Sequence, residues 1–144
     1  MIIIHKNEFL IVGIKETFQE HELFIKMPKV YEELERSIQK IQFRKNNLIW
    51  DISLKREENW YTQLVGVEVE NMPVIPHNMI GIKIPKAKYL YYLHKGDVKE
   101  IYDAFVLMYD YALKQNLALD KDEFKIEIHD QKNREYYLYL RLRK

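Results

Sequence analysis

The chain has 144 residues, with 23 Lys and Arg against 22 Asp and Glu and a net charge of +1. That length makes one domain, taken as residues 1–144, and the even charge balance gives no electrostatic footprint for nucleic acid or an anionic membrane. The absence of cysteine excludes disulfides, a thiol nucleophile and a thiolate metal site.

No apolar run approaches the roughly 18–20 residues of a membrane span. The start, MIIIHKNEF, is too short an apolar run for a signal peptide and reads as the lead-in to a first strand. A cytoplasmic protein with no membrane partner is the expectation. In chain order, the β-branched run Phe9–Ile14 predicts a strand over about 8–17. Pro28 then suits a first helical turn, and Val30, Leu34, Ile38 and Ile41 recur at helical spacing, predicting a helix over 28–42. Leu48, Trp50, Ile52 and Leu54 alternate with Ile49, Asp51 and Ser53 as a strand with one buried face, and Trp60–Val69 is the returning strand.

Pro73, Pro76 and Asn78 punctuate a loop. Strands over 79–84 and 87–93 follow, broken at Pro85. Asp97 as N-cap with Glu100 three residues later starts a second helix over 98–115, with Ile101, Phe105, Met108 and Ala112 as its apolar stripe. Tyr102 and Tyr109, on its seam, read as core. Two last strands are predicted near 123–129 and 136–143.

The order strand, helix, strand, strand thus occurs twice. The hairpin NLIWDISLKREENWYTQL lies over EFKIEIHDQKNREYYLYL at a constant offset, matching Asp51 to Glu127, Ile52 to Ile128, Tyr61 to Tyr137 and Leu64 to Leu140. A pseudo-twofold duplication predicts an α+β fold: one antiparallel sheet, two helices on a single face, and an open, concave face as a ligand groove.

Tyrosine is the composition's excess: 11 residues, nine of them between Tyr89 and Tyr139. In the last hairpin, Phe124, Ile126 and Ile128 with Leu138, Leu140 and Leu142 read as the helix-facing set. Glu127, His129, Tyr137, Tyr139 and Arg141 then fall on the open face. Tyr61, Tyr89 and Tyr91 are further candidates there. A carboxylate among aromatic faces suits a lipophilic cation, because ring quadrupole and full charge act together. The competing reading is a solvated Glu127 paired with Lys125 or Arg141. The strand 60–69 stays open. Val65, Val67 and Val69 as a buried set would put Glu68 on the open face. The repeat register instead puts Tyr61, Gln63 and Val65 there, and a bulge near Gly66 would reconcile the two. The five histidines are scattered and the four glycines are far apart, so no metal, phosphate loop or cofactor is expected.

The segments FLIVGIKET, YTQLVGVEVEN with its proline loop, IKIPKAKYLYYLHKG and FKIEIHD, in this order, resemble the GyrI-like family. These are the effector-binding domains of AraC-type and multidrug-responsive transcription regulators. The resemblance implies two strand–helix–strand–strand units around a groove for bulky, often cationic aromatic compounds. It places Glu127 at the family's groove carboxylate and matches Glu68, Tyr89 and His94-Lys95-Gly96 to further family positions. His129 stands where the family commonly has an aromatic. The regulators carry a helix-turn-helix ahead of this domain, so a stand-alone sensor or sequestering protein without direct DNA binding is the expectation. Two alternatives follow from the same resemblance. One is a hydrolase of reactive cyclopropane-type compounds, with Glu127 acting on a water and Tyr137 or Tyr139 supplying a proton or holding substrate. The other is a protein-interaction module of the gyrase-inhibitor type.

Overall fold

The computed structural model describes residues 1–120 and 124–143. Eight strands form one antiparallel sheet: β1 (Ile2–Lys6), β2 (Phe9–Gln19), β3 (Ile49–Glu57), β4 (Trp60–Val69), β5 (Ile80–Ile84), β6 (Ala87–Lys95), β7 (Lys125–Asp130) and β8 (Glu135–Arg141). Helix α1 (Leu23–Ser37) follows β2, and α2 (Ile101–Lys114) follows β6. Across the sheet the order is β1-β6-β8-β7-β3-β4-β2-β5. From the centre outward, β7, β8 and β6 repeat β3, β4 and β2, and β1 and β5 close the two ends. The pseudo-twofold axis runs between β3 and β7, where Asp51 pairs with Glu127. The duplicated α+β fold read from the sequence is the fold found.

Cross-strand partners share one side of a sheet. The row Ile14, Val65, Asp51, Glu127, Leu138, Tyr92 therefore lies on one face. Ile14 and Val65 pack with Val30 and Leu34 of α1, while Leu138 packs with Phe105 and Met108 of α2. Both helices thus cover the same face, as expected. The other face carries its own buried cluster, including Phe9, Trp50, Ile52, Tyr89, Ile126 and Tyr139, with no helical residue in it. It is dry because the sheet curls on itself. The Lys6 ammonium, on the first strand in the order, stands 5.4 Å from the ring of Phe9 on the seventh.

This curling corrects the facing of β3 and β7. Trp50, Ile52, Ile126 and Ile128, read as helix-facing, lie on the helix-free side, and Asp51, Glu127 and His129 face the helices. The reading of β8 holds: Leu138 and Leu140 face α2, and Tyr137 and Tyr139 lie opposite. Aliphatic residues mark an inner face only when the other face is wet, and here both are dry. On β4, Val65, Val67 and Val69 face α1 and Glu68 lies on the helix-free side opposite Ile11. The bulge falls between Ser53 and Lys55 of β3, not at Gly66. With it, the register pairs Ile52 with Leu64 in one hairpin and Ile128 with Tyr137 in the other. Leu64 is thus equivalent to Tyr137 rather than to Leu140. A shift by three residues reverses every side chain's face, which is why Tyr61 falls on the helix side.

Three boundaries also move. Residues Ile2–Lys6 form an edge strand of their own against β6. The first helix starts earlier than Pro28. After a 3-10 turn at Glu20–Glu22, where the Glu22 carboxylate accepts from the Gln19 N–H at 2.9 Å, α1 begins at Leu23 with Pro28 in its interior. Position 123, the expected start of the seventh strand, lies outside the described residues.

Gly13 and Gly66 oppose each other on β2 and β4. A Cβ at Gly13 would stand 2.1 Å from the Val65 carbonyl oxygen, and one at Gly66 2.3 Å from that of Val12. The backbones cross too closely for any side chain, and the bend this allows helps the sheet to curl. The equivalent pair in the second unit is Tyr91 and Tyr139.

Candidate functional site

The floor between the two helices is polar at the pseudo-twofold axis. Asp51 from β3 and Glu127 from β7 face each other there. The Tyr31 hydroxyl of α1 donates to Asp51 Oδ2, and Gln63 Nε2 donates to Oδ1 at 3.1 Å. His129 Nε2 stands 3.0 Å from Glu127 Oε1. With Glu127 ionised its carboxylate only accepts, and Nε2 is then the donor of this bond. The His129 ring is buried edge-on against Tyr136 at 5.1 Å and lies 5.7 Å from the Tyr31 ring. Lys125 shares this side of β7, with its ammonium 4.1 Å from the centre of the Phe105 ring.

Two carboxylates in a largely buried place carry an electrostatic cost. Burial pushes the Asp51 carboxyl up to about 6, and the Glu127 charge adds to it; Tyr31, His129 and Lys125 act the other way. Burial and both carboxylates push the Tyr31 hydroxyl far above the usual phenol range, so it stays a donor. In the unfolded chain the Asp51 carboxyl titrates at its ordinary 3.8. Between these values the native state binds more protons than the unfolded state. The contribution of Asp51 to stability therefore falls as pH rises from about 4 to about 6, and stays at its least favourable above. Asp51→Asn should raise stability at neutral pH by about 1–3 kcal/mol and change little near pH 4. Gln63 Oε1 has no partner, so the Gln63 amide can turn to accept from the new asparagine. Urea melts of both proteins at the two pH values check this; a variant less stable than the parent at neutral pH contradicts it.

The walls of the cleft are apolar. On α2, Tyr102 and Tyr109 stand one turn either side of Phe105, whose ring meets Lys125 of β7. Tyr109 also feels Arg56 and Tyr61 of the β3–β4 hairpin. Tyr102 is 76% exposed and Tyr109 38%. They are not core, as the sequence suggested, but line the edge of α2 that looks over the axis. Val106 and Leu113 continue that exposed edge. On α1, Tyr31 marks the corresponding edge, and Phe24, two turns earlier, is 94% exposed.

The structure divides the residues proposed from the sequence. Glu127 lies on the floor of this cleft, and Tyr61 lies at its hairpin end on the same face. Tyr89, Tyr91, Tyr137, Tyr139 and Glu68 lie across the sheet. Tyr89 and Tyr139 are buried there, their rings 5.8 Å apart, and Glu68 pairs with Lys45 at 3.3 Å. Asp51, Tyr31 and Gln63 were missed. The offset that matched Asp51 to Glu127 was the available signal for the first. His94 has a local role: its Nε2 lies 2.8 Å from the Asp97 carbonyl, closing the loop in which Gly96 takes φ +126°. Among the described residues no group of three metal-ligating side chains converges, and no helix is long and apolar enough to cross a membrane.

No curated protein sequence matches this chain. Solved structures do. One is SAV2435 bound to tetraphenylphosphonium, with a TM-score of 0.79 and 14% identity, covering 98% of this chain and 92% of that one. Another is the integron cassette protein VCH_CASS2 from the mobile metagenome of Vibrio cholerae, with a TM-score of 0.75, 12% identity, and coverage of 98% and 94%. A third is the C-terminal domain of EcmrR, with a TM-score of 0.70, 12% identity, and coverage of 99% and 96%. These likenesses show a shared fold. The sequence profile of a family described as "Cass2: Integron-associated effector binding protein" matches residues 2–143, so the chain belongs to that family.

Proposed function

We propose that this protein binds a small hydrophobic or cationic aromatic compound in the cleft between α1 and α2, as a sensor or sequestering protein in transcription regulation or drug resistance. The observation that carries the reading is the pair Asp51 and Glu127, two acids facing each other on a largely buried floor beneath exposed aromatic walls. A lipophilic cation offsets that charge, and its apolar body covers Tyr102, Tyr109 and Phe24. The fold shared with a protein solved with tetraphenylphosphonium supports the same class of ligand. The net charge of +1 supports a small-molecule partner over direct contact with DNA.

Titration with tetraphenylphosphonium tests it. At a hundredfold excess over Kd, mass action should raise the melting temperature by roughly 5–10 °C. A broad panel of lipophilic cations and planar aromatics that leaves the melting temperature unmoved would remove the basis of the reading.

A second reading is favoured by the bond between Glu127 and His129. A carboxylate so held can position or deprotonate water, and the hydrolase role would then fall to Glu127 with Tyr31 rather than Tyr137 or Tyr139, which lie across the sheet. Turnover of an activated cyclopropane that Glu127→Gln abolishes would separate this reading from simple binding.

A further inference from the structure

The basic residues of this near-neutral chain are not spread evenly. A hollow of about 800 Å³ opens at one end of the curled sheet, lined by Lys6, Lys86, Lys88, Arg141 and Arg143, with Asp120 as its acid among the described residues. Asp120 is bonded to Arg141 at 2.5 Å, so its charge is already answered. Lys6, Lys86, Lys88 and Arg143 have no ion pair among the described residues. Glu68 attracts Lys6, but its carboxylate is paired with Lys45 at 3.3 Å. Lys6 is half-buried, and the other three are exposed. Like charges gathered on a concave wall repel one another, and their fields add in the space they enclose.

The backbone behind these charges is held in place. Lys6 of β1 pairs with Ala87 of β6. The Leu142 N–H donates to the Lys88 carbonyl at 2.9 Å, and the Arg143 N–H to the Ala118 carbonyl at 2.8 Å. The Asp120 N–H donates to the Arg141 carbonyl at 2.8 Å. The segments that carry the cations are thus tied to paired strands, which keeps the charges together without a ligand. The hollow's size suits a small organic molecule rather than a lone ion. No Phe, Tyr or Trp lines it among the described residues, so it offers charge and hydrogen-bond donors but no stacking platform.

We propose that this hollow is a second binding site, for a small soluble molecule carrying two or more phosphate groups, held by Lys86, Lys88 and Arg143 with Lys6 behind them. A single exposed ion pair contributes little, so a ligand with one charge gains almost nothing here. A chain or pair of phosphates meets several cations at once. The Arg143 guanidinium can hold phosphate oxygens two at a time, and the lysines act as point charges. A nucleic acid needs a basic surface that runs on beyond one hollow, and the net charge of +1 leaves little for it. The site shares no residue with the cleft between the helices and does not depend on the reading given to that cleft.

The probe is tripolyphosphate, titrated at low salt into the labelled full chain and followed by its amide resonances. Saturable shifts should centre on Lys6, Ala87, Lys88 and Arg143, and inorganic phosphate should bind at least roughly tenfold more weakly. Lys88→Gln and Arg143→Gln should each weaken binding by roughly three- to tenfold, and the double variant by more. Lys132→Gln removes the same charge at the far end of β8, in the turn before Glu135, and should change affinity less than about twofold. Glu127→Gln should leave it unchanged. All four positions substituted by glutamine here are exposed or lie off the packed core, and a thermal melt of each variant checks that it is folded. No saturable shift at millimolar tripolyphosphate would overturn the proposal. So would an equal loss in Lys132→Gln, which would mean a diffuse charge effect. Tighter binding of a short DNA duplex, or of phosphatidylserine vesicles, through the same residues would replace the small molecule by a nucleic acid or a membrane surface and would also overturn it.

Discussion

Glu127→Gln should lower the affinity for a lipophilic cation by roughly 30- to 100-fold while leaving the protein folded. A unit charge about 6 Å from a carboxylate, at the effective dielectric of a partly buried site, gains about 2–3 kcal/mol, and that gain is lost with the charge. The glutamine keeps the shape and still accepts from His129 Nε2, which lies 3.0 Å from the present carboxylate. Stability should rise, because the Glu127 charge is one of the two influences that hold the Asp51 carboxyl near 6. Reduced affinity with a higher melting temperature in the unliganded protein is therefore the expected signature, measured by calorimetric titration and a thermal melt. Reduced affinity with a lower melting temperature would mean that Glu127 acts through the fold. A neutral aromatic of the same size should bind the variant and the parent alike.

Gly13→Ala should destabilise the fold by about 3 kcal/mol or more, a large fraction of the total stability of a marginal domain. The added methyl would sit 2.1 Å from the Val65 carbonyl oxygen and 2.5 Å from Gly66 Cα. Both are backbone atoms, and neither can turn away as a side chain would. Relieving the clash means separating β2 from β4, the pair that carries Ile14 and Val65 onto α1. Gly96→Ala is the informative contrast. Gly96 has open space about its Cβ position, so its cost arises only from φ +126°, which a side chain resists. Chemical denaturation of the two variants checks the ranking: Gly13→Ala should be the more damaging, and near-parent stability in that variant would contradict the close crossing of the two strands.

The architecture was legible because it is written twice. Helical spacing marked both helices, alternation marked the hairpins, and the offset linking Asp51 to Glu127 also names the two residues that meet at the axis. Facing was not legible, for a physical reason. Sorting a strand into inner and outer sides assumes that water touches one of them. Here Trp50, Ile52, Ile126 and Ile128 are as dry as the residues under the helices, because the sheet closes over them. The bulge between Ser53 and Lys55 further broke the register that the repeat seemed to give, turning Tyr61 to the helix side. The tyrosine excess therefore does not describe a single groove. Tyr31, Tyr102 and Tyr109 border the acidic floor, whereas Tyr89, Tyr91, Tyr137 and Tyr139 belong to the inner face of the curl. Glu127 was singled out as a chemical outlier, and it lies at the axis opposite Asp51. Its partner Asp51 was passed over because an acid between Trp50 and Ile52 looks like the solvated side of an alternating strand. Pro28 misled by position: proline suits a first turn, but the Gln19–Glu22 cap starts the helix ahead of it.

The most direct test of the central claim is a chemical-shift titration of the labelled protein with tetraphenylphosphonium. Binding between the helices predicts saturable shifts at Asp51, Glu127 and His129, with Tyr31 and Tyr109 from the two walls, and little change at Tyr89 or the Trp50 indole. Shifts centred on Tyr89, Tyr139 and Trp50, with Glu127 and Asp51 unmoved, would contradict it.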